Sequence, residues 1–270
     1  MLALIAGITA GVLFVRRQRR LATPMIDVAL FRRPAFAGAV ASTTVAILAF
    51  SGLLFFFSQY LQLVRGFSPM TAGLAELPMT VASIAVILVI GRIAAWLGSG
   101  RAIGAGLAVT AVGFALLAWA EGLPGYLWVG VATAVIGLGV GVAMALSTDA
   151  VVSAVPRERA GAAASVSETA YELGIALGIA VLGSLHTAFY RLNLDAGTPA
   201  AVTESLASAA RALPGGGELL DHAREAFTTG MQATTLTGTV LLVIAAVIAW
   251  RVIPSFSTQA DPESARSTPS

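Results

Sequence analysis

Six times between Phe36 and Trp250 the sequence returns to an apolar run of roughly twenty residues, the length that crosses a bilayer as a helix. In hydrocarbon every backbone N–H and C=O must be satisfied within the chain, so runs of this length are expected to be helical. The composition agrees: of 270 residues, 57% are hydrophobic and 11% are charged, with a mean hydropathy of +0.86. A water-soluble domain carries roughly 25% charged residues. The expected fold class is therefore an all-α polytopic membrane protein, with the lipid bilayer as its first partner.

In chain order the spans are expected at about 36–63, 70–93, 102–120, 126–148, 160–185 and 231–250. Residues 1–15 are apolar but too short to cross, and read as a partial membrane helix. A basic connector follows at 16–35, with Arg16, Arg17, Arg19, Arg20, Arg32 and Arg33. Gly91 to Arg101 reads as a tight basic connector, and Glu121-Gly-Leu-Pro-Gly125 as an outside turn. Residues 187–229 form the long outer loop. Its amphipathic pieces, Ala201 to Leu213 and Leu219 to Phe227, are broken by Pro214-Gly-Gly-Gly217 and are expected to lie on the outer face. The polar stretch 254–270 is expected to be a disordered tail. Arginines at 16–33, 92–101, 157–159 and 251 all fall on one side, whereas the short connectors opposite contain only Arg65. The positive-inside rule makes the arginine side, and the C-terminus, cytoplasmic in a multi-pass cell-membrane protein.

Against this apolar background, two carboxylates inside one span stand out. A charged side chain at the middle of a membrane helix costs on the order of 3 kcal/mol on insertion scales, and such groups mark ion or substrate paths. Glu168 and Glu172 are four residues apart, on one helix face with Gly161, Ser165, Ile175, Ile179 and Gly183. Gly174 and Gly178 point elsewhere, at a small-xxx-small spacing that suits close contact with a neighbouring helix. One side of this helix is expected to pack and the other to present acids to a polar cavity. An interhelix hydrogen bond from a protonated Glu is the structural alternative.

Other polar features have two readings each. Glu76, one or two turns inside a span and just before Pro78, either snorkels to water or takes part in function. Phe50, Phe55, Phe56, Phe57 and Tyr60 form either an interfacial belt with ordinary packing or the wall of an apolar ligand pocket. Gly137 and Gly141 offer a second close-packing face. Asp149 is expected to cap a turn or pair with Arg157 and Arg159.

Several function classes are excluded. The chain has no cysteine, which removes disulfides, thiol catalysis and cysteine metal sites. His186 and His222 are far apart in sequence and are expected at the surface, so neither metal binding nor an enzyme is supported. A net charge of +2 gives no reason to expect nucleic acid.

Two stretches carry a family resemblance. Gln59-Tyr-Leu-Gln62-Leu-Val-Arg-Gly66-Phe-Ser-Pro69-Met-Thr-Ala-Gly73-Leu, followed by Leu77-Pro78, resembles the loop between spans nine and ten of fourteen-helix drug:proton antiporters, the EmrB/QacA group of the major facilitator superfamily. The run from Ala160 through Glu168, Tyr171, Glu172 and Gly174 to Gly183 is similar to their thirteenth span. The resemblance implies the C-terminal six-helix bundle of such a transporter, preceded by part of another span. It also implies proton-coupled efflux of hydrophobic or cationic small molecules, with no cofactor beyond the proton gradient. Glu168 and Glu172 become the proton and substrate site, with Glu76 and Tyr171 as weaker candidates. Two departures matter. The N-terminal half of the family pattern is absent, which implies a missing half supplied in cis or in trans, and an assembly subunit inactive alone is the competing reading. Ala95 stands where the superfamily's basic loop commonly has an Asp, so any gating ion pair through that position is in doubt.

Overall fold

The structure, a computed structural model, describes residues 31–153, 155 and 160–253 together with Gly7, residues 9–11, Leu13, Arg16 and Arg17. The expected partial helix at 1–15, most of the connector at 16–35, the Asp149 side chain, Arg157 and Arg159, and the tail at 254–270 lie wholly or largely outside the described residues.

Long α-helices dominate. α1 (Pro34–Gln59) runs on into a π-helical turn, Tyr60–Val64. The second apolar run is divided among α2 (Pro69–Ala75), α3 (Leu77–Ile87) and α4 (Ile90–Leu97). Then come α5 (Ser99–Ala120), α6 (Leu127–Ser153) and α7 (Ala160–Leu192). Two short helices, α8 (Ala200–Glu204) and α9 (Leu206–Ala212), precede α10 (Glu218–Val252). Six segments among the described residues are long and apolar enough to cross a membrane. Exposed Val81, Ile84, Val112, Leu177, Val240 and Val243 would be untenable against water, and suit lipid or a partner helix.

Packing follows the small residues. α5 and α6 form the closest pair, α10 lies along α5 and α1, α7 lies on α1 and α10, and α3 lies on α6. A Cβ added at Gly137 would strike the Met79 main chain, and one at Gly141 the Ser83 carbonyl. Those two glycines therefore seat α3 against α6, the close contact their spacing suggested. α3 and α7 are the least covered spans, with 22% and 28% of their apolar windows buried against 61% for α5.

The structure departs from the hydropathy reading at three places. The expected span 70–93 is not continuous: it breaks at Glu76 and again at Leu88–Val89. Pro78 has no N–H to give back to Leu74 and its ring crowds the preceding turn, which accounts for the first break. Ile90–Leu97, read as a connector, is an amphipathic helix that leaves Trp96 93% exposed, as an interfacial anchor would. The outer loop is also shorter than 187–229. α7 continues to Leu192 and α10 starts at Glu218, so Leu219 to Phe227 is the first part of the last span rather than a surface helix. Hydropathy registers the part of a helix in lipid, whereas these extensions are held by burial of Tyr190, Leu220, Ala223 and Phe227. α8 and α9 do occupy the Ala201 to Leu213 stretch, tucked in by Val202 and Leu206 and by a hydrogen bond from Tyr190 Oη to the Val202 carbonyl (2.7 Å).

Candidate functional site

Position on α7 decides what each side chain can do. Its buried residues, Ala163, Val166, Ala170, Gly174, Gly178, Leu182, His186 and Tyr190, recur every three or four residues and form one stripe. A Cβ at Gly178 would collide with the Leu48 carbonyl and Ser51 Oγ of α1, and one at Gly174 would sit 3.0 Å from the Thr44 carbonyl. Ser51 Oγ donates across this contact to the Ile175 carbonyl (3.4 Å).

Glu168 and Glu172 project from the other side. Both are exposed, and neither has a hydrogen-bond or ion-pair partner among the described residues. Their Cβ atoms stand about 6 Å apart, one helical turn separating them. Glu172 lies about 18 Å along α7 from Ala160, well inside an apolar helix of 33 residues. A further 10 Å or so along that face begins an open groove between α1 and α7 of about 650 Å³, lined by Phe55, Phe56, Gln59, Ile179, Gly183 and Arg191 among others. The aromatic cluster of α1 is thus divided. Phe57 and Tyr60 are fully buried packing residues, whereas Phe55, 48% exposed, borders the groove.

The two weaker candidates are placed elsewhere. Tyr171 is half-buried and turned into the bundle, where it lines a cavity of about 50 Å³ with Phe50, Thr110 and Met144. Glu76 is half-buried at the α2–α3 break, next to the point where Tyr126 Oη donates to the Ala75 carbonyl. The acid pair therefore shares one surface, while Tyr171 faces another and Glu76 belongs to a different helix.

His186, expected at the surface, is buried at 3% exposure. Its ring stacks on Phe56 (4.2 Å between centroids, 13°) and meets the edge of Phe227 (4.4 Å, 65°). The loop expected from residue 187 onward is helix here, so a position read as a helix end is interior. Glu121, read as part of an outside turn, is likewise buried at 3% exposure. A faint signal existed for it. The short connectors on that side carry one cation, Arg65, and Glu121 was an unmatched anion at the same end. No group of three or more metal-ligating residues exists among the described residues.

Comparisons with known proteins bear on the arrangement. The Major Facilitator Superfamily profile matches residues 1–179. The chain belongs to that superfamily and is a multi-pass membrane protein. It is similar to the Multidrug efflux pump LfrA of Mycolicibacterium smegmatis, with 39% identity over 259 residues, covering 91% of this chain and 51% of the relative. It is also similar to the Methyl viologen resistance protein SmvA of Salmonella typhimurium, at 32% identity with 88% and 50% covered. The Tetracenomycin C resistance and export protein of Streptomyces glaucescens is 32% identical, with 90% and 49% covered. The chain thus spans about half the length of the curated relatives it matches.

Proposed function

We propose that this chain is the C-terminal half of a fourteen-helix, EmrB/QacA-type carrier that exports hydrophobic or cationic compounds in exchange for protons. The observation that carries the reading is the two-sided α7, one face packed through Gly174 and Gly178 and the other presenting Glu168 and Glu172 without partners among the described residues. In a cavity closed by a second half, desolvation favours the neutral carboxyl, and a neighbouring acid raises one of the pair further. The pair then titrates as a unit. A lipophilic cation favours the ionised form, so cation and proton compete for the same oxygens. The apolar part of such a substrate is accommodated by the Phe55–Ile179 groove, whereas Tyr171, in the inner cavity, and Glu76, at the α2–α3 break, are weaker candidates away from it. The names of the relatives, which speak of multidrug efflux and of methyl viologen resistance, support this substrate class. The arginine-bearing end, including Arg92, Arg101 and Arg251, faces the cytoplasm on this reading.

A second reading is favoured by the poor coverage of α3 and α7. On it the chain is a half-transporter or assembly subunit, inactive until an N-terminal half covers those faces. Both readings are tested by ethidium efflux from cells lacking their own pumps, with the chain expressed alone and alongside the N-terminal half of LfrA. Efflux only with the added half is expected on both readings, and the size of the native product separates them: about twice 27.5 kDa for the first, 27.5 kDa for the second. Unchanged efflux by a Glu168→Gln, Glu172→Gln double variant would sink the acid-pair assignment.

A further inference from the structure

The end of the bundle remote from the start of α7 holds a second carboxyl with unusual surroundings. Glu121 terminates α5 and is enclosed by the end of α1, the α5–α6 turn and α10. Oε1 accepts a hydrogen bond from Thr235 Oγ1 (3.0 Å), while Oε2 is buried without a partner among the described residues. Its own main-chain carbonyl accepts from Tyr60 Oη (2.6 Å). Tyr60 Oη in turn accepts from Arg65 Nε (2.7 Å), and Arg65 Nη2 donates to the Leu123 carbonyl (2.6 Å) and, at 3.4 Å, to that of Ala120. The π-helical turn makes this clasp possible. Residues five apart on an α-helix are about 140° out of line, whereas i→i+5 bonding, seen as Arg65 N–H to the Tyr60 carbonyl (3.1 Å), brings them into line. Beside the clasp lies a polar vestibule of about 620 Å³, lined by Tyr60, Arg65, Glu121, Arg224, Glu225 and Gln232 among others.

We propose that Glu121 is a second proton-binding site of this chain, exchanging with water through the vestibule, and that its charge state governs the grip of Arg65 on the α5–α6 turn.

The unmatched oxygen is the first argument. An ionised carboxylate buried with one oxygen unsatisfied is strongly disfavoured, so a proton occupies the site and is released only when water is sufficiently basic. Burial pushes the Glu121 carboxyl up to about 8, against the opposing pull of the Thr235 hydrogen bond and the Arg65 charge. That places ionisation where external pH can reach it. The second argument is the position of Arg65. Its guanidinium bonds carbonyls and a phenol and makes no salt bridge among the described residues, so it is available to a newly formed anion next to it. Apart from Glu225 at its opening, the remaining charges around the vestibule are engaged or remote. On α10, Asp221 pairs with Arg224 (2.8 Å) and Arg224 also holds the Leu63 carbonyl (3.2 Å), while Glu225 lines the opening. On the α5–α6 turn Tyr126 is directed to the Ala75 carbonyl. His222 lies near Asp195 (3.8 Å), away from the vestibule lining. Protonated, Glu121 leaves Arg65 clamping the turn; ionised, it draws Arg65 off the Leu123 and Ala120 carbonyls and loosens it. The inference stands whether or not the Glu168–Glu172 pair carries protons in transport.

The chain supplies its own reporter. Trp119 and Trp128 bracket Glu121 in sequence, their rings edge to face at 5.5 Å. In a Trp96→Phe, Trp250→Phe background, tryptophan emission of the full chain in detergent is titrated between about pH 6 and 10. A sigmoidal change centred near 8 is expected. It should vanish in Glu121→Gln. In Arg65→Gln it should move to higher pH, because the cation that favours ionisation is gone. Melting temperature is followed across the same range in parallel. The proposal is overturned by a transition that persists unchanged in Glu121→Gln, or by a midpoint in the ordinary carboxylate range. A flat titration, with identical pH dependence of melting in both proteins, overturns it equally.

Discussion

On one face of α7, Ala170, Gly174 and Gly178 let α1 approach until a single added methyl would strike its main chain; on the other, Glu168 and Glu172 are exposed with nothing bonded to them among the described residues. The first face is fixed by shape and the second is exposed. Glu121 makes a further contrast with Glu172. Both are carboxylates in an apolar chain, yet the one inside a span is exposed and the one at a helix end is buried. Depth in the sequence run and burial in the fold are separate properties. Burial is set by which side of a helix meets a neighbour.

These contrasts can be broken by substitution. The largest effect is expected at Gly178. Replacement by Leu drives a side chain into the Leu48 carbonyl, which cannot yield, and the cost exceeds ~3 kcal/mol. Size-exclusion chromatography should show little monodisperse protein, and a well-behaved Gly178→Leu variant would mean the two faces are not as different as described. His186→Ala comes next. It empties the slot between Phe56 and Phe227 and should lower stability by about 2–3 kcal/mol, while His186→Phe keeps most of the packing. Thermal melts of the two variants side by side read the difference.

Glu121→Gln should act in the opposite sense and with a pH signature. The folded-state value is about 8, above the ordinary carboxylate value of 4.5. Below pH 4.5 both folded and unfolded chains hold the proton, so it contributes no difference. Between 4.5 and 8 only the unfolded chain releases it, so native stability falls as pH rises and then levels off. Removing the acid abolishes that fall. The variant should match the parent near pH 4 and melt higher at pH 8, with the difference opening between pH 4.5 and 8. The smallest structural effect is expected from Glu172→Gln, whose side chain touches no partner. Its melting temperature should stay within about a degree of the parent. A large loss there would place Glu172 in a structural contact and undo the comparison.

Much of the architecture was legible because lipid imposes simple arithmetic. Apolar runs of about twenty residues located the six spans, and the glycine pairs at 137/141 and 174/178 located two of the close helix contacts. Boundaries were less legible, since α7 and α10 run beyond the lipid-compatible part and are stabilised there by Tyr190, Leu220 and Phe227 against one another. The acid pair stood out in the sequence because charge inside an apolar run is rare. Glu121 and His186 escaped because nothing local marks a polar residue at a helix end as buried. That property belongs to Thr235, Phe56 and Phe227, distant in sequence.

The π-helical turn at Tyr60–Val64 carries a consequence in chain length rather than in residue type. It accommodates one residue more than an α-helical turn would. Deleting one residue there, such as Leu63, would leave the arginine four residues from Tyr60, where an ordinary α-helical turn sets the two only about 40° apart, so the turn reverts to α-helix with the pair still in line. At this point of the molecule a one-residue gap in an alignment is absorbed by the turn. A relative one residue shorter here would keep the clasp on an ordinary helix if it kept its arginine, its tyrosine and its glutamate.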